Sequence, residues 1–413
     1  RGNSIVGGVK NNISNHLINN SFIGGGAINN IEGIGYDDFA TSTPHYSSIL
    51  GGKLNTIKDE YSSIIGGKEN IIEGSFSFIG NGENNTTSGS HSSILGGISG
   101  SISETSTHSL ILGGEENTLT SSYSIIGNGN RNHVQGLYNF IGNPCSSSIN
   151  ETDETSENQY NAIISGRENK ISNLINYSNI LNGNKNEITF SRESEEDPLA
   201  KEYNNINGGK LNIISSSNYS SILGGEENKL ISLDNSSIIG GVKNKIEKSK
   251  KSIILGGDEN QIETVGNNDY NLIGIGLYNK IGFSSTSSIV GGYENIISSS
   301  IGSFIGGGIT SSISSSQVSS IVGGEENLVI NSTGSFIGGG SGNRIEKYQD
   351  NPNNQYNLIT GGKSNTNNST ENSSIVGGVN NIIHGVDNEA LLEEILKMEN
   401  QVADLCAVYP ELC

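Results

Sequence analysis

One phrase recurs along the chain and constrains its fold more than any other feature. At residues 62–72 it reads Ser-Ser-Ile-Ile-Gly-Gly-Lys-Glu-Asn-Ile-Ile, and at residues 373–383 it reads Ser-Ser-Ile-Val-Gly-Gly-Val-Asn-Asn-Ile-Ile. With each copy indexed by its first glycine, and with Ser165 and Asn182 accepted in that place, the phrase occurs 22 times. Such repetition is typical of solenoids, in which a stacked array grows in one dimension without a larger core.

The spacing of the index glycines indicates a small coil. The shortest spacing is 14 residues. That length is enough for two strands of about five residues and two tight corners, but not for a wide three-sided β-helix. Each copy has two β-branched strand signals, one before the Gly-Gly pair and one at the Asn-x-Ile that follows. We expect Gly-Gly to form the corner, the corner to lengthen where it reads Gly-x-Gly, as at residues 80–82, and the asparagine to tolerate left-handed φ and stack into a ladder.

Paired apolar residues before the glycines predict an oligomer. Neighbours on a strand point to opposite faces, so one member of each pair fills the coil and the other points outward. The pairs include Ile64-Ile65, Ile111-Leu112 and Ile125-Ile126. Stacked coils would then expose a continuous apolar stripe that a soluble monomer would not leave in water. We therefore expect the chain to bury this stripe against other copies of itself.

The repeat resembles that of the head domain of YadA-type trimeric autotransporter adhesins, which has the form Asn-Ser-x-Ala-Ile-Gly-x-x-Ser-x-Ala-x-Gly. Residues 63–74 match this form, and the resemblance extends over about residues 4–385. Ile replaces the family's Ala here, and Gly-Gly replaces its single Gly. Related repeats also occur in fibres of phages and large DNA viruses. The resemblance implies an all-β, left-handed parallel β-roll of about 22 coils, assembled as a homotrimer with the apolar pairs at its core.

Residues 1–385 are expected to form this roll, with insertions near residues 34–45, 144–159, 191–202 and 347–355. The prolines outside the C-terminus lie in these insertions, because proline cannot serve a central ladder: they are Pro44, Pro144, Pro198 and Pro352. Loops on a rigid scaffold are where recognition usually resides. At about 4.8 Å per coil, the roll would form a rod on the order of 100 Å long.

The last segment, residues 386–413, changes to the apolar spacing of a coiled coil. The expected heptad seam of this short trimeric coiled coil is Leu391, Ile395, Met398, Val402 and Leu405. Cys406 and Cys413 flank Pro410, which ends the helix. In an oxidising compartment the two cysteines would form disulfides, between chains or closing a small loop. Free thiols are the alternative.

A column of aromatic residues lies five positions before the index glycine of the repeat phrase. It contains Tyr46, Tyr61, His91, His108, Tyr160, Tyr177, Tyr203, Tyr219 and Tyr356, while Tyr123, Tyr138 and Tyr270 come one place later. One interpretation is a stack that seals the corner, and the alternative is an exposed edge that contacts a receptor or sugar rings. No further ligand at a diagnostic spacing accompanies His91 and His108, so no metal site is expected.

Composition excludes several classes of partner. The net charge of −20 argues against nucleic acid, whose phosphates need clustered Lys and Arg. No run of 18 apolar residues is present, so no membrane insertion is expected within this chain. Acidic pairs after Gly-Gly, such as Glu226-Glu227, and the acidic insertion at residues 191–202 are expected to be solvated. Weak Ca²⁺ binding by these loops is the alternative, and no other cofactor is expected.

No catalytic constellation is visible, because no Gly-rich piece opens a helix and no nucleophile elbow occurs. We therefore expect a non-enzymatic trimeric fibre or adhesin, extracellular on a cell or virion surface, that attaches to a host or surface glycan or protein. One alternative is a purely structural appendage or spacer. Another is a fibre-borne polysaccharide-degrading enzyme with a carboxylate site between subunits.

Overall fold

The computed structural model of the chain describes residues 2–14, 20–32, 46–150, 160–172, 176–189, 203–232, 234–264, 269–346, 356–368 and 372–384. Within these ranges the chain is an all-β parallel solenoid with two short strands per coil, as predicted. The same ranges contain no helix that is long and apolar enough to cross a membrane. Contacts divide the chain into two compact units, Arg1–Glu247 and Lys248–Cys413.

In the first unit, the strand before each Gly-Gly corner belongs to sheet A and the strand after it to sheet B. The strands of sheet A are β1 (Ser4–Ile5), β3 (Phe22–Ile23), β5 (Ser48–Ile49), β7 (Ser63–Ile64), β9 (Phe78–Ile79), β11 (Ser93–Ile94), β13 (Leu110–Ile111), β15 (Ile125–Ile126), β17 (Phe140–Ile141), β19 (Ala162–Ile163), β21 (Asn179–Ile180), β23 (Asn205–Ile206), β25 (Ser221–Ile222) and β27 (Ser237–Ile238). The strands of sheet B are β2 (Asn12–Ser14), β4 (Asn30–Glu32), β6 (Thr56–Ile57), β8 (Ile71–Ile72), β10 (Thr86–Thr87), β12 (Ser101–Ile102), β14 (Thr118–Leu119), β16 (His133–Val134), β18 (Ser148–Asn150), β20 (Lys170–Ser172), β22 (Glu187–Thr189), β24 (Ile213–Ser215), β26 (Lys229–Ile231) and β28 (Lys245–Glu247).

The second unit repeats this arrangement. Its sheet A contains β29 (Ile253–Asp258), β31 (Leu272–Leu277), β33 (Ser288–Tyr293), β35 (Phe304–Ile305), β37 (Ser320–Ile321), β39 (Phe336–Ile337), β41 (Leu358–Ile359) and β43 (Ser374–Ile375). Its sheet B contains β30 (Gln261–Glu263), β32 (Lys280–Gly282), β34 (Ile296–Ser298), β36 (Ser312–Ser314), β38 (Leu328–Ile330), β40 (Arg344–Glu346), β42 (Thr366–Asn368) and β44 (Ile382–His384).

The interior of each coil is thin and nearly uniform. Ile49 pairs with Ile64 in sheet A, and Ile57 pairs with Ile72 in sheet B. All four side chains are fully buried, and their branched shape suits the pleated, stacked surface. Because most coils contribute one such residue to each sheet, stability comes from stacking coils rather than from a globular core.

A buried asparagine closes each Gly-Gly corner and links it to the coils on either side. The amide nitrogen of Asn70 donates to the Gly66 carbonyl at 3.1 Å and to the Gly82 carbonyl of the next coil at 3.0 Å. Its Oδ1 accepts from the backbone N–H of Asn85 at 3.1 Å. The predicted asparagine ladder is therefore present in the described coils. In a few of them another residue replaces the asparagine, namely Ser147, Ser311 or Gly100.

A second polar ladder, which sequence reasoning missed, lines the opposite corner. The Ser62 hydroxyl donates to the Gly74 carbonyl at 3.0 Å and accepts from the Ser77 N–H at 3.1 Å. Serine or asparagine is buried at this place in coil after coil. The signal was the first serine of the Ser-Ser-Ile-Ile phrase, which directly precedes each sheet A strand. Both corners therefore satisfy their buried backbone groups with side chains, as buried polar groups require.

Two expectations about the Gly-Gly corner are wrong. Gly-x-Gly does not lengthen the turn, because Gly80 occupies the strand position that Ile65 holds in the preceding coil. Gly67 and Gly82 are then equivalent left-handed corner residues, with φ of 91° and 113°. The asparagine is not left-handed either. That conformation falls on the residue before it, such as Glu69 with φ of 58°.

The boundary of the insertion at residues 144–159 is also wrong. Pro144 is a corner residue of a regular coil, since its carbonyl accepts from Asn132 Nδ2 at 2.9 Å, and β18 begins in the same coil at Ser148. Only residues 151–159 lie outside the described ranges in this insertion. The insertions near 34–45, 191–202 and 347–355 lie outside them, as do the seam Leu391–Leu405 and the two cysteines of residues 386–413.

Candidate functional site

The corner between a sheet B strand and the next sheet A strand holds an aromatic ladder in the first unit. Each member directly precedes the buried serine or asparagine of the second polar ladder, and nearly all have a left-handed backbone, such as Tyr61 with φ of 55°. The same corner is left-handed without a stacked ring at Lys251, Thr286 and Val318, so this conformation belongs to the coil itself and does not depend on the rings. The members are Tyr46, Tyr61, Phe76, His91, His108, Tyr123, Tyr138, Tyr160, Tyr177, Tyr203 and Tyr219.

The rings of this aromatic ladder stack face to face, one per coil. Centroid separations range from 4.8 Å between His91 and His108 to 5.3 Å between Tyr46 and Tyr61. The planes deviate from parallel by at most 21°, between Tyr203 and Tyr219. The separation follows from the strand spacing of the solenoid, so the ladder is a direct product of the coil register.

Eight of the nine column residues that the sequence indicated lie in this ladder. The ninth, Tyr356, takes the same corner position in the second unit, where its ring lies over Gly334. Tyr123 and Tyr138 are not one place out of register. They only appear so because their index glycines, Gly127 and Gly142, occupy the outward strand position. Phe76 was missed for the same reason.

The stacking decides which parts of the rings a ligand can reach. Every interior ring has both faces covered by its neighbours, yet Tyr160 remains 51% exposed and Tyr177 40% exposed. The exposed parts are therefore ring edges and phenol hydroxyls. A sugar cannot stack on a ring face along the ladder, but it can accept or donate hydrogen bonds at the hydroxyls.

The predicted insertions meet the solenoid at this corner. Each lies between a sheet B strand and the following sheet A strand, and the residues described on its C-terminal side begin at or close to an aromatic: Tyr46, Tyr160, Tyr203 and Tyr356. The corner with the aromatic ladder is thus also the corner where the longest connections leave and return.

The two histidines of the ladder do not form a chelating pair. Their rings are parallel within 4° at 4.8 Å, whereas two nitrogens on one zinc ion must converge to about 2 Å from the metal. Across the described ranges, no group of three or more His, Cys, Asp or Glu side chains could hold a metal ion.

The outer face of sheet A is a second candidate surface. Ile64 is buried while Ile65 is 50% exposed, and Leu95 and Leu112 are each 46% exposed, so the predicted outward stripe is present in each unit. The outer face of sheet B in the same coils is mostly polar, with Thr86, Ser101 and Thr118 among its residues. The outer face of sheet A is therefore largely apolar, whereas that of sheet B is largely polar.

The outward positions of sheet A compensate each other in size. In seven coils the third position is glycine, and the first is then always Phe, Ile or Leu: the pairs are Phe22/Gly24, Phe78/Gly80, Ile125/Gly127, Phe140/Gly142, Leu272/Gly274, Phe304/Gly306 and Phe336/Gly338. In the nine coils that begin with serine, such as Ser63 and Ser93, the third position is always Leu, Ile or Val. Most coils thus present one large apolar side chain outward. The predicted pair Ile125-Ile126 also has one buried and one outward member, but in the reverse order, since Ile126 is buried and Ile125 is 37% exposed.

No family model matches this sequence. No curated protein matches it either. The resemblance to YadA-type heads therefore rests on the repeat phrase, and the arguments about function rest on the two surfaces described above.

The Gly-Gly corner between the sheets bears ion pairs that link successive coils. Lys68 contacts Glu83 at 2.6 Å, and Lys210 contacts Glu226 at 2.6 Å. These hydrogen bonds raise the pKa of Lys68 and of Lys210, while the hydrogen bond from Lys185 lowers the pKa of Glu168. All are exposed, so each pair adds little stability. Glu226 of the predicted acidic corners thus has a lysine partner.

Proposed function

We propose that this chain is a non-enzymatic segment of a trimeric fibre or adhesin, in which three copies pack through the outer faces of sheet A. The observation that supports this most strongly is the contrast between that half-exposed apolar face and the polar face of sheet B. Second and third copies of the same chain would offer a matching surface. The resemblance to YadA-type heads supports the number three and a left-handed roll.

The compensation between first and third positions supports the same proposal. Crowding within the chain explains why glycine accompanies a large first residue, and a packed interface would in addition favour one large apolar side chain in most coils. Burying one half-exposed Leu or Ile contributes roughly 1 kcal/mol. Repeated along the coils, this offsets the roughly 4–15 kcal/mol that association costs in lost freedom of motion.

We place this fibre outside the cell, on a cell or virion surface, where it attaches to a glycan or protein receptor. The corner of the aromatic ladder supports this role, because both the exposed ring edges and the ends of the longest insertions lie there. The net charge of −20 favours a soluble, well-separated surface and disfavours nucleic acid as the partner.

Charged substitutions on the two faces test the proposed assembly. We expect Leu95→Glu with Leu112→Glu to dissociate the trimer, because association would bury two carboxylates per chain. Ser101→Glu with Thr118→Glu, on the outer face of sheet B in the same coils, is the matched control and should leave the mass unchanged. Equal masses for both variants in light scattering would remove the support for sheet A as the interface.

A deletion separates attachment from a purely structural role. Replacing residues 191–202 by a short Gly-Ser linker should weaken attachment of the labelled protein to its target surface while the trimer mass persists. Retained attachment, also after the same change at residues 347–355, would favour the spacer alternative.

A further inference from the structure

We propose that the aromatic ladder of the first unit binds an extended, neutral β-1,4-linked polysaccharide, which lies along the ladder with one sugar per coil. This deepens the attachment role proposed above and rests on it. The recognising groups are phenol hydroxyls, presented in a row by consecutive coils. The longest unbroken row of tyrosines is Tyr123, Tyr138, Tyr160, Tyr177, Tyr203 and Tyr219.

The spacing of these hydroxyls selects the polymer. Consecutive tyrosine centroids in the row lie 4.9–5.3 Å apart, and the rings are nearly parallel, so their hydroxyls repeat at a similar distance. Successive sugars of a flat β-1,4-linked chain advance by a closely similar length. An extended peptide advances by about 3.3 Å per residue and falls out of step at once. An α-1,4-linked glucan coils and cannot follow a straight row.

The chemistry of the corner suits a neutral polyol. In the described part of the row of tyrosines, the residues that precede the rings of Tyr123, Tyr138, Tyr177 and Tyr219 are Ser122, Leu137, Asn176 and Asn218. The flank there is uncharged, whereas Glu60 precedes Tyr61 near the start of the ladder. A polyanion would also be repelled by the net charge of −20.

Repetition supplies the affinity. One phenol–sugar hydrogen bond contributes little in water, but a chain already held at one coil meets the next hydroxyl as an intramolecular event, so the contacts add through effective concentration. The stacked rings are already ordered by their neighbours, which reduces the entropy lost on binding. Affinity should therefore rise with the length of the glycan.

Calorimetric titration of the full chain with cello-oligosaccharides of increasing length tests the proposal. We expect binding that strengthens with length, and we expect malto-oligosaccharides of the same lengths not to bind. The triple variant Tyr138→Phe, Tyr160→Phe and Tyr177→Phe keeps the stack, as Phe76 does naturally, and should weaken binding by about tenfold or more.

The control is the pair Tyr278→Phe and Tyr293→Phe, whose rings meet edge to face outside the ladder and whose loss should leave binding unchanged. Absence of binding by long cello-oligosaccharides, equal binding of malto-oligosaccharides or of an unstructured peptide, or unchanged affinity of the triple variant would each overturn the proposal. The trimer mass, measured on the same samples, reports separately on the proposed assembly.

Discussion

At the scale of single residues, buried polar side chains hold the coils in register. Burial of an isoleucine is favourable but not directional, whereas Asn70 has directed hydrogen bonds to its own corner and to the coils on both sides. Loss of such a side chain leaves buried backbone groups without partners, which costs more than the bonds themselves contribute. The amide and hydroxyl ladders therefore specify the stacking that the isoleucines only favour.

Asn70→Ala tests this role. It removes the acceptor of the Asn85 N–H and the donor to the Gly66 carbonyl, so we expect a loss of about 2–3 kcal/mol in the free energy of unfolding. Denaturant titration followed by circular dichroism measures it. Asn130→Ala, which removes only an exposed hydrogen bond to Glu115, should change stability by less than about 0.5 kcal/mol. Equal losses would mean that the ladder does not stabilise the fold.

His133 on the outer face of sheet B makes stability depend on pH. Burial lowers the pKa of this imidazole below its ordinary value of 6.5, so the folded state resists protonation that the unfolded state accepts. Stability should then fall as the pH drops below about 6.5, the pKa of the unfolded state. His133→Gln should reduce this loss, because glutamine takes up no proton in this pH range. Identical pH profiles of the variant and the unmodified chain between pH 8 and pH 5 would contradict the assignment.

At the scale of strands, the coils are equivalent in structure but not in sequence register. Glycine at the third outward position of sheet A is accompanied by a large first residue, and the Phe304 ring comes within 3.2 Å of the place where a Gly306 Cβ would lie. The strand also approaches its neighbour closely there, because that Cβ would be 2.5 Å from the Val322 carbonyl oxygen. Two constraints, one from the ring and one from the backbone, thus require glycine.

Gly306→Ala should therefore destabilise the second unit by about 1–3 kcal/mol, because the added methyl group overpacks a backbone contact. Gly307→Ala is the matched control, since nothing lies within 4 Å of its Cβ position, and it should be neutral or slightly stabilising. Thermal unfolding of both variants checks this, and a larger effect at Gly307 would refute the explanation.

The strand scale also shows what the sequence could predict. The alternation of strand residues predicts that each apolar pair has one buried and one outward member. The two β-branched segments in each repeat predict two strands per coil, and the repeated asparagine predicts the ladder. The register of Gly80 and Gly127 could not be predicted, because a strand glycine and a corner glycine cannot be told apart in a Gly-rich phrase. Aligning the copies on Tyr123 and Tyr138 instead would have corrected it and revealed Phe76.

At the scale of the whole molecule, one kind of core is observed within the chain and a second is proposed between chains. One lies within each unit, between its two sheets, and accounts for the 0% exposure of residues such as Ile64 and Ile72. The other is proposed to form between chains, from the outer face of sheet A, and no contact within the described single chain supplies it. Polar sheet B and the aromatic ladder would then remain available for attachment.

The most direct test of this central claim is the mass of the unmodified chain in dilute solution, measured by size-exclusion chromatography with light scattering. The account predicts three times the chain mass of 43.5 kDa, held as the concentration is lowered through the micromolar range. A mass of 43.5 kDa at every concentration would contradict it.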